Sequence, residues 1–130
     1  MASRLLIVDD DDGIRCALTD VLQDAGYVVE SATDGREALD YLLATPTIDL
    51  IILDLSMPVM DGFEFRRRAL ADDGLRGIPV IVLTAGLMKD GASLRMLQAA
   101  AYLSKTTPMP TLLATIANAL SSTQRPSDLR

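Results

Sequence analysis

Four short apolar runs in this chain each end at polar residues that can take part in chemistry. The runs and the residues that follow them are 5–8 with Asp9 and Asp10, 50–53 with Asp54, 80–83 with Thr84, and 102–104 with Lys105. Continuous runs of leucine and β-branched residues are typical of strands buried on both faces of a parallel sheet. All strands of such a sheet end at one edge, where open α/β sheets build their sites. We therefore expect three carboxylates, one hydroxyl and one ammonium at a single edge.

Helical patterns alternate with these strands along the chain. The expected strands are 4–8, 27–31, 48–53, 79–83 and 102–104; the expected helices lie between the caps at 11–13 and Gly26, between Asp34 and Pro46, and at 63–71, 88–100 and 110–121. This alternation implies right-handed crossovers and a sheet covered by helices on both faces. The predicted fold is α/β, a flavodoxin-like (βα)5 doubly wound parallel sheet with strand order 2-1-3-4-5. Strands one and three are then neighbours, which brings Asp9 and Asp10 beside Asp54.

The bulk composition predicts one compact domain. The chain has 130 residues, of which 49% are hydrophobic and 23% are charged, and its net charge is −6. We expect a domain over residues 1–122 and a polar tail or linker stub over 123–130. The negative charge argues against nucleic-acid binding by this domain. No apolar stretch is long enough for a membrane span or a signal-peptide core, so the predicted location is cytoplasmic.

The complete absence of histidine excludes several kinds of site. A Ser-His-Asp or Cys-His nucleophile cannot form within this chain, nor can a zinc site that uses imidazole. The single Cys16 rules out an internal disulfide and suits a reducing compartment. Because Cys16 stands at helical spacing among Ile14, Leu18 and Val21, we predict that it is a small buried apolar residue.

The polar residues at the predicted edge can hold a cation and a phosphoryl group. A few oxygen ligands with room for water suit Mg²⁺ better than zinc or copper. Asp10 and Asp54 would bind the ion directly, the backbone carbonyl of Ser56 is the natural third ligand, and Asp9 would act through water. A carboxylate can accept a phosphoryl group as an acyl phosphate, whose oxygens the metal, Lys105 and Thr84 would share.

The neighbouring aspartates have a simpler interpretation. Asp11 and Asp12 directly precede a predicted helix, where carboxylates cap backbone amides and oppose the helix dipole. We therefore interpret them as helix caps, not as ligands. Asp9 and Asp10 could also be caps if they were considered alone, but Asp54 follows four apolar residues at the end of the predicted central strand.

The sequence resembles a receiver domain of the two-component response-regulator family over residues 4–121. The motifs that carry the resemblance are Asp9-Asp10, residues 54–62, Thr84-Ala85, and Tyr102 three residues before Lys105. The resemblance implies that Asp54 is the phosphoacceptor, that Thr84 and Lys105 sense the phosphoryl group, and that Tyr102 is the switch aromatic. It also implies a phosphohistidine donor on a sensor histidine kinase or a histidine phosphotransfer protein. Phosphorylation would then switch the surface of the fourth helix, fifth strand and fifth helix for an effector that the sequence does not identify.

The chain departs from the family pattern at three places near that surface. Thr106 and Thr107 separate Lys105 from Pro108, where family members usually have proline directly after the lysine. Three alanines at 99–101 replace a glycine-bearing turn, and the spacing from Thr84 to Lys105 is about one residue short. These changes predict an altered loop after the fifth strand and a fourth helix that is displaced or ends differently.

The residues alone also allow two other functional classes. A metal-dependent phosphohydrolase could use the same acidic edge, but that class typically places a second acid two residues after the nucleophile, where this chain has Ser56. A degenerate receiver would signal without phosphorylation, and the full set of acidic residues, Thr84 and Lys105 argues against it. We therefore expect a phosphoacceptor that is not an enzyme beyond its own phosphorylation and dephosphorylation.

The resemblance also implies where a hydrolytic water would be oriented. That duty falls on the second residue after the phosphoacceptor and the second after the threonine, which are Ser56 and Gly86 here. Glycine has no side chain and serine is short, so we predict slow loss of the phosphoryl group for this class of protein.

Overall fold

The computed structural model describes residues 2–44, 47–85 and 91–122. Within these ranges, five strands alternate with five helices in chain order. The elements are β1 Arg4–Val8, α1 Asp12–Asp24, β2 Val28–Ala32, α2 Gly35–Ala44, β3 Leu50–Leu53, α3 Gly62–Leu70, β4 Val80–Thr84, α4 Gly91–Leu97, β5 Ala101–Ser104 and α5 Met109–Ser122. The residues predicted to form a tail, 123–130, lie outside the described residues. None of the described helices has the length and apolar character needed to cross a membrane.

The five strands form one parallel sheet in the order β2-β1-β3-β4-β5, as the sequence predicts. The register aligns Val8 with Leu53, the last residues of β1 and β3. The amide of Asp54 donates a hydrogen bond of 2.9 Å to the carbonyl of Val8, which continues this pairing past the strand ends. The residues that follow the two strands, Asp9 and Asp54, are therefore neighbours at one edge.

The core has two layers, one on each face of the sheet. Leu6 and Val8 of β1 pack in a layer that includes residues of α2 and α3, and Leu5 and Ile7 pack in a layer that includes residues of α1 and α5. All four side chains are fully buried. Successive side chains of a strand point to opposite faces, so a continuous apolar run fills both layers.

Most predicted boundaries agree with the structure within two residues, but the end of α4 does not. The periodicity predicts a helix over 88–100, whereas α4 ends at Leu97 and Gln98 adopts a left-handed φ of 48°. The predicted start at residue 88 lies outside the described residues. The helix ends early because a left-handed residue directs the chain away from the helix axis.

The predicted burial of Cys16 is wrong, because the structure exposes this side chain. The fully buried positions of α1 are Leu18 and Leu22, which lie one helical turn apart. Cys16 precedes Leu18 by two residues and so points to about the opposite side of the helix. The apolar stripe of α1 is thus narrower than its sequence suggests.

Candidate functional site

Three carboxylates meet at the carboxyl edge of the sheet. One carboxylate oxygen from each of Asp9, Asp10 and Asp54 lies within 4.8 Å of the other two. Asp9 and Asp54 are buried, with 3% and 4% of their surface exposed, and Asp10 is exposed. The sheet register explains this cluster, because Asp9 and Asp10 follow β1 directly and Asp54 follows β3, its neighbour.

Lys105 brings a positive charge into this cluster from the end of β5. Its Nζ lies 2.8 Å from Oδ2 of Asp9 and 3.4 Å from Oδ2 of Asp54. Burial alone would lower the pKa of Lys105, but the hydrogen bond to Asp9 and the charges of Asp54 and Asp9 raise it. Lys105 is therefore a firmly protonated ammonium between two buried carboxylates.

One ammonium does not neutralise three carboxylates. Burial raises the pKa of Asp54, and the charge of Asp9 raises it further. Lys105 and a hydrogen bond from the backbone amide of Ser56 oppose this rise without cancelling it. The site thus retains excess negative charge, which a divalent cation would relieve.

The turn between β1 and α1 is fixed by hydrogen bonds that its own acids accept. Oδ1 of Asp9 accepts a hydrogen bond of 2.9 Å from the amide of Asp11. Asp11 in turn caps α1, because its side chain accepts a hydrogen bond of 3.0 Å from the amide of Ile14. The interpretation of Asp11 as a cap is confirmed, and Asp12 lies in the first turn of α1, where its carboxylate pairs with Arg15.

The loop after β3 folds tightly against the phosphoacceptor candidate. The amide of Gly62 donates a hydrogen bond of 3.0 Å to the carbonyl of Leu55. A Cβ atom on Gly62 would lie 2.5 Å from the carbonyl oxygen of Asp54, so only glycine fits there. Asp61 caps α3 by accepting a hydrogen bond of 2.9 Å from the amide of Glu64. This packing leaves the Ser56 side chain exposed beside Asp54.

Thr84 and Tyr102, the predicted switch residues, have different surroundings. Thr84 is the last residue of β4. Its carbonyl accepts a hydrogen bond of 2.9 Å from the backbone amide of Lys105. The Tyr102 hydroxyl donates a hydrogen bond of 2.6 Å to the carbonyl of Leu94 and accepts one of 3.2 Å from the amide of Ala99. Tyr102 is 40% exposed, and its hydroxyl binds the backbone at the end of α4.

The loop after Lys105 is shaped by hydroxyl contacts. The Oγ of Ser104 lies 2.7 Å from Oγ1 of Thr106 and accepts a hydrogen bond of 3.1 Å from the Thr106 amide. The Thr107 amide donates a hydrogen bond of 3.0 Å to the Ser104 carbonyl. This tight turn leads into α5 after Pro108.

Sequence reasoning missed two arginines with structural roles: Arg15 lies beside the acidic cluster, and Arg66 lies against the end of α4. Arg15 contacts the carbonyl of Asp9 at 2.7 Å, and Arg66 is a buried cation that donates a hydrogen bond to the carbonyl of Leu97. The only signal for Arg66 is its helical spacing of three residues from Ala69, which is buried. Arg67 and Arg68, its neighbours in the sequence, pair instead with Glu64 on the surface.

The comparisons with known proteins agree with this geometry. A family model described as "Response regulator receiver domain" matches residues 5–117. "Response regulator MprA" of Mycolicibacterium vanbaalenii is 44% identical over an alignment of 120 positions, which covers 88% of this chain and 48% of that protein. "Response regulator MprA" of Mycobacterium tuberculosis H37Rv is 41% identical over an alignment of 134 positions, which covers 98% of this chain and 54% of that protein. The chain thus spans about half the length of these curated relatives.

Solved structures of response regulators are similar to this chain over nearly their whole length. The chemotaxis response regulator CheY4 of Vibrio cholerae is 36% identical, with a TM-score of 0.84 and coverage of 92% of this chain and 99% of that chain. A putative response regulator from Chloroflexus aurantiacus is 32% identical, with a TM-score of 0.86 and coverage of 93% and 99%. The chain therefore belongs to the receiver-domain family of two-component response regulators.

Proposed function

We propose that Asp54 accepts a phosphoryl group from a phosphohistidine on a sensor histidine kinase or a histidine phosphotransfer protein. The observation that carries this proposal is the position of Asp54, buried at the end of β3 beside Asp9 and Asp10, with the Lys105 ammonium 3.4 Å away. These 130 residues cannot supply the phosphohistidine themselves, because they contain no histidine. A downstream effector of unknown identity would respond to the phosphorylated form.

The donor set fits a magnesium ion. Asp10 and Asp54 would bind it directly together with the backbone carbonyl of Ser56, and Asp9 would contact it through water. Oxygen ligands with room for water suit Mg²⁺, and the exposure of Asp10 leaves a path to solvent. A bound ion would supply positive charge to a cluster in which burial, and then the charge of Asp9, raises the pKa of Asp54.

The side chains of the site can each be given a role in the transfer. A carboxylate oxygen of Asp54 attacks phosphorus, the phosphorus–nitrogen bond to the donor imidazole breaks, and the imidazole nitrogen keeps the electron pair. The Lys105 ammonium and the Thr84 hydroxyl then donate hydrogen bonds to the phosphoryl oxygens. Because the attacking group is already charged and held by its neighbours, positioning and charge stabilisation are the main contributions of the chain.

Changes at the site would reach the α4–β5–α5 surface through Thr84 and Tyr102. Thr84 pairs in the sheet with Ser104 of β5, and Tyr102 lies two residues before Ser104 on the same strand. Movement of Thr84 toward a phosphoryl group would therefore alter the packing around β5. The Tyr102 hydroxyl is hydrogen bonded to the Leu94 carbonyl, so a shift of its ring would release or displace the end of α4. We infer that effectors bind this surface, with an affinity set by phosphorylation.

Incubation with acetyl phosphate and Mg²⁺, followed by intact mass spectrometry, tests the proposal. A single phosphoryl adduct that persists after donor removal supports a receiver. Continuous consumption of the donor without an adduct would indicate a phosphohydrolase, and no reaction would indicate a degenerate receiver. Transfer from a phosphorylated histidine phosphotransfer protein then distinguishes the proposed donor class from small-molecule chemistry.

A further inference from the structure

The guanidinium of Arg15 reaches back from α1 to the turn that carries the acidic pair. Its Nη1 donates a hydrogen bond of 2.7 Å to the backbone carbonyl of Asp9, and its Nη2 pairs with the carboxylate of Asp12. The Arg15 side chain is only 15% exposed, whereas that of Asp12 is 88% exposed. Arg15 is therefore packed against the turn and is not a freely moving surface cation.

The contact with Asp9 acts on the peptide unit that joins the two acids. The carbonyl of Asp9 lies in the same rigid plane as the amide of Asp10. A donor that holds this carbonyl therefore fixes the backbone direction from which the Asp10 side chain leaves. On the other side of the turn, the Asp9 carboxylate is held by the amide of Asp11 at 2.9 Å and by Lys105 at 2.8 Å.

We propose that Arg15 is a positioning residue for the divalent-cation site, holding the Asp9–Asp10 peptide so that both carboxylates face one ion. The inference deepens the proposed function and depends on its assignment of Asp10 as a ligand. Nη1 of Arg15 holds the peptide through the carbonyl of Asp9, and Nη2 of Arg15 is held in turn by the carboxylate of Asp12.

The charge of Arg15 and its hydrogen bond to Asp9 have opposite effects on the affinity for Mg²⁺, so removing each predicts a change of opposite sign. A nearby cation repels Mg²⁺, so loss of its charge alone would make Mg²⁺ bind more tightly. Loss of the hydrogen bond would free the turn and make Mg²⁺ bind more weakly, since groups that orient metal ligands are typically worth about 10- to 100-fold in affinity. The sign of the change therefore distinguishes a positioning residue from a mere neighbouring charge.

The test is titration of the protein with Mg²⁺ in the absence of any phosphodonor, followed by amide NMR signals. We expect Arg15→Met to raise the Kd for Mg²⁺ by about tenfold or more. It should also shift the Asp10 amide signal before any ion is added, since the peptide plane is no longer held. The matched control is Arg76→Met, which removes an exposed arginine from the connection before β4, at the opposite edge of the sheet. This control should bind Mg²⁺ like the wild type.

Arg15→Lys provides a second variant should the methionine variant fold poorly. Lysine keeps the charge but cannot bridge Asp9 and Asp12, so it loses the positioning without the gain from a removed charge, and its Kd should be at least as high as that of Arg15→Met. A Kd equal to or below the wild-type value in either folded variant would overturn the role of Arg15. If the wild type itself shows no Mg²⁺-dependent shifts at the acidic cluster, the proposed metal site fails as well, and this inference fails with it.

Discussion

Arg66 on α3 donates a hydrogen bond of 2.6 Å from Nε to the carbonyl oxygen of Leu97, the last residue of α4. Its Nη2 donates a second one of 3.1 Å to the carbonyl of Gln98, the residue with the left-handed φ. Arg66 is buried, and burial lowers the pKa of its guanidinium, an effect that nearby Tyr102 opposes. A cation at a helix carboxyl end satisfies free carbonyls and the helix dipole, so Arg66 stabilises the early end of α4.

Replacing Gln98 with glycine should stabilise the protein. The left-handed conformation costs a residue with a Cβ atom about 1 kcal/mol, and glycine avoids this cost. Gln98 is exposed, so little side-chain packing is lost. We expect the free energy of unfolding in urea to rise by roughly 1 kcal/mol in Gln98→Gly.

The matched control for this change is Ala99→Gly, one residue further along. Positive φ among the described residues other than glycine occurs only at Val59 and Gln98, so Ala99 gains nothing from glycine. That variant should lose roughly 0.5–1 kcal/mol. Equal destabilisation by both substitutions would show that the turn at Gln98 is not strained.

In the metal-free protein, the contribution of Asp54 to stability should fall as pH rises through its titration. Burial and the charge of Asp9 raise the pKa of Asp54 above its usual value of 3.8. Between pH 3.8 and the raised pKa, the folded state binds more protons than the unfolded state, so the free energy of unfolding falls as pH rises. Asp54→Asn removes this dependence and should be the more stable protein at pH 7 without metal.

Chemical denaturation of both proteins from pH 3.5 to pH 7.5 measures this effect. The advantage of Asp54→Asn should shrink as the pH falls toward 3.8. An advantage that is absent at pH 7, or that grows on acidification, would mean that burial and the charge of Asp9 do not destabilise the ionised Asp54 carboxylate.

Magnesium should raise the melting temperature through the acidic cluster. A ligand at 100 times its Kd stabilises the folded state by about 2.7 kcal/mol, which is roughly 10 °C for a domain of this size. In Asp10→Asn the shift at the same concentration should fall to less than half, because a charged ligand is lost. Asp73→Asn, which changes an exposed aspartate on the connection between α3 and β4, should keep the full shift. Equal shifts in all three proteins would place the ion elsewhere.

The lifetime of the phosphorylated form should depend on the side chain at position 56. Ser56 is exposed beside Asp54 and is too short to hold a hydrolytic water in line. Ser56→Asn should shorten the half-life of the adduct several-fold in excess Mg²⁺, whereas Ser56→Ala should decay like the wild type. Decay of the phosphorylated mass peak after donor removal measures this. If Ser56→Asn decays no faster than the wild type, water positioning does not limit the rate of hydrolysis. Gly86, the other position predicted to orient the water, lies outside the described residues.

The strand pattern predicted the sheet and its edge because strand direction follows from local sequence. An uninterrupted apolar run such as 50–53 specifies burial on both faces, and the residue after it, Asp54, must then lie at the carboxyl edge. Asp9 directly follows β1, which pairs with β3, so Asp9 lies at the same carboxyl edge. The fold and the composition of the acidic edge therefore follow from periodicity and strand order.

The contacts that the sequence did not predict depend on tertiary packing. Arg66 and Leu97 are 31 residues apart, and no local pattern links them. Arg15 contacts the backbone of Asp9 six residues earlier, which matches no helical side-chain spacing. Cys16 was misplaced because apolar spacing alone does not show how wide a helix face the sheet covers.

Asp54 is the proposed phosphoacceptor, and site-specific labelling distinguishes it from the other aspartate of the same loop. The wild type, Asp54→Asn and Asp61→Asn should be treated with acetyl phosphate and Mg²⁺ and compared by intact mass. Asp61 caps α3 in the same loop, and asparagine is an equally good cap, so this control keeps the fold. We predict one phosphoryl group on the wild type and on Asp61→Asn and none on Asp54→Asn. Full labelling of Asp54→Asn, or its loss in Asp61→Asn alone, would contradict the assignment.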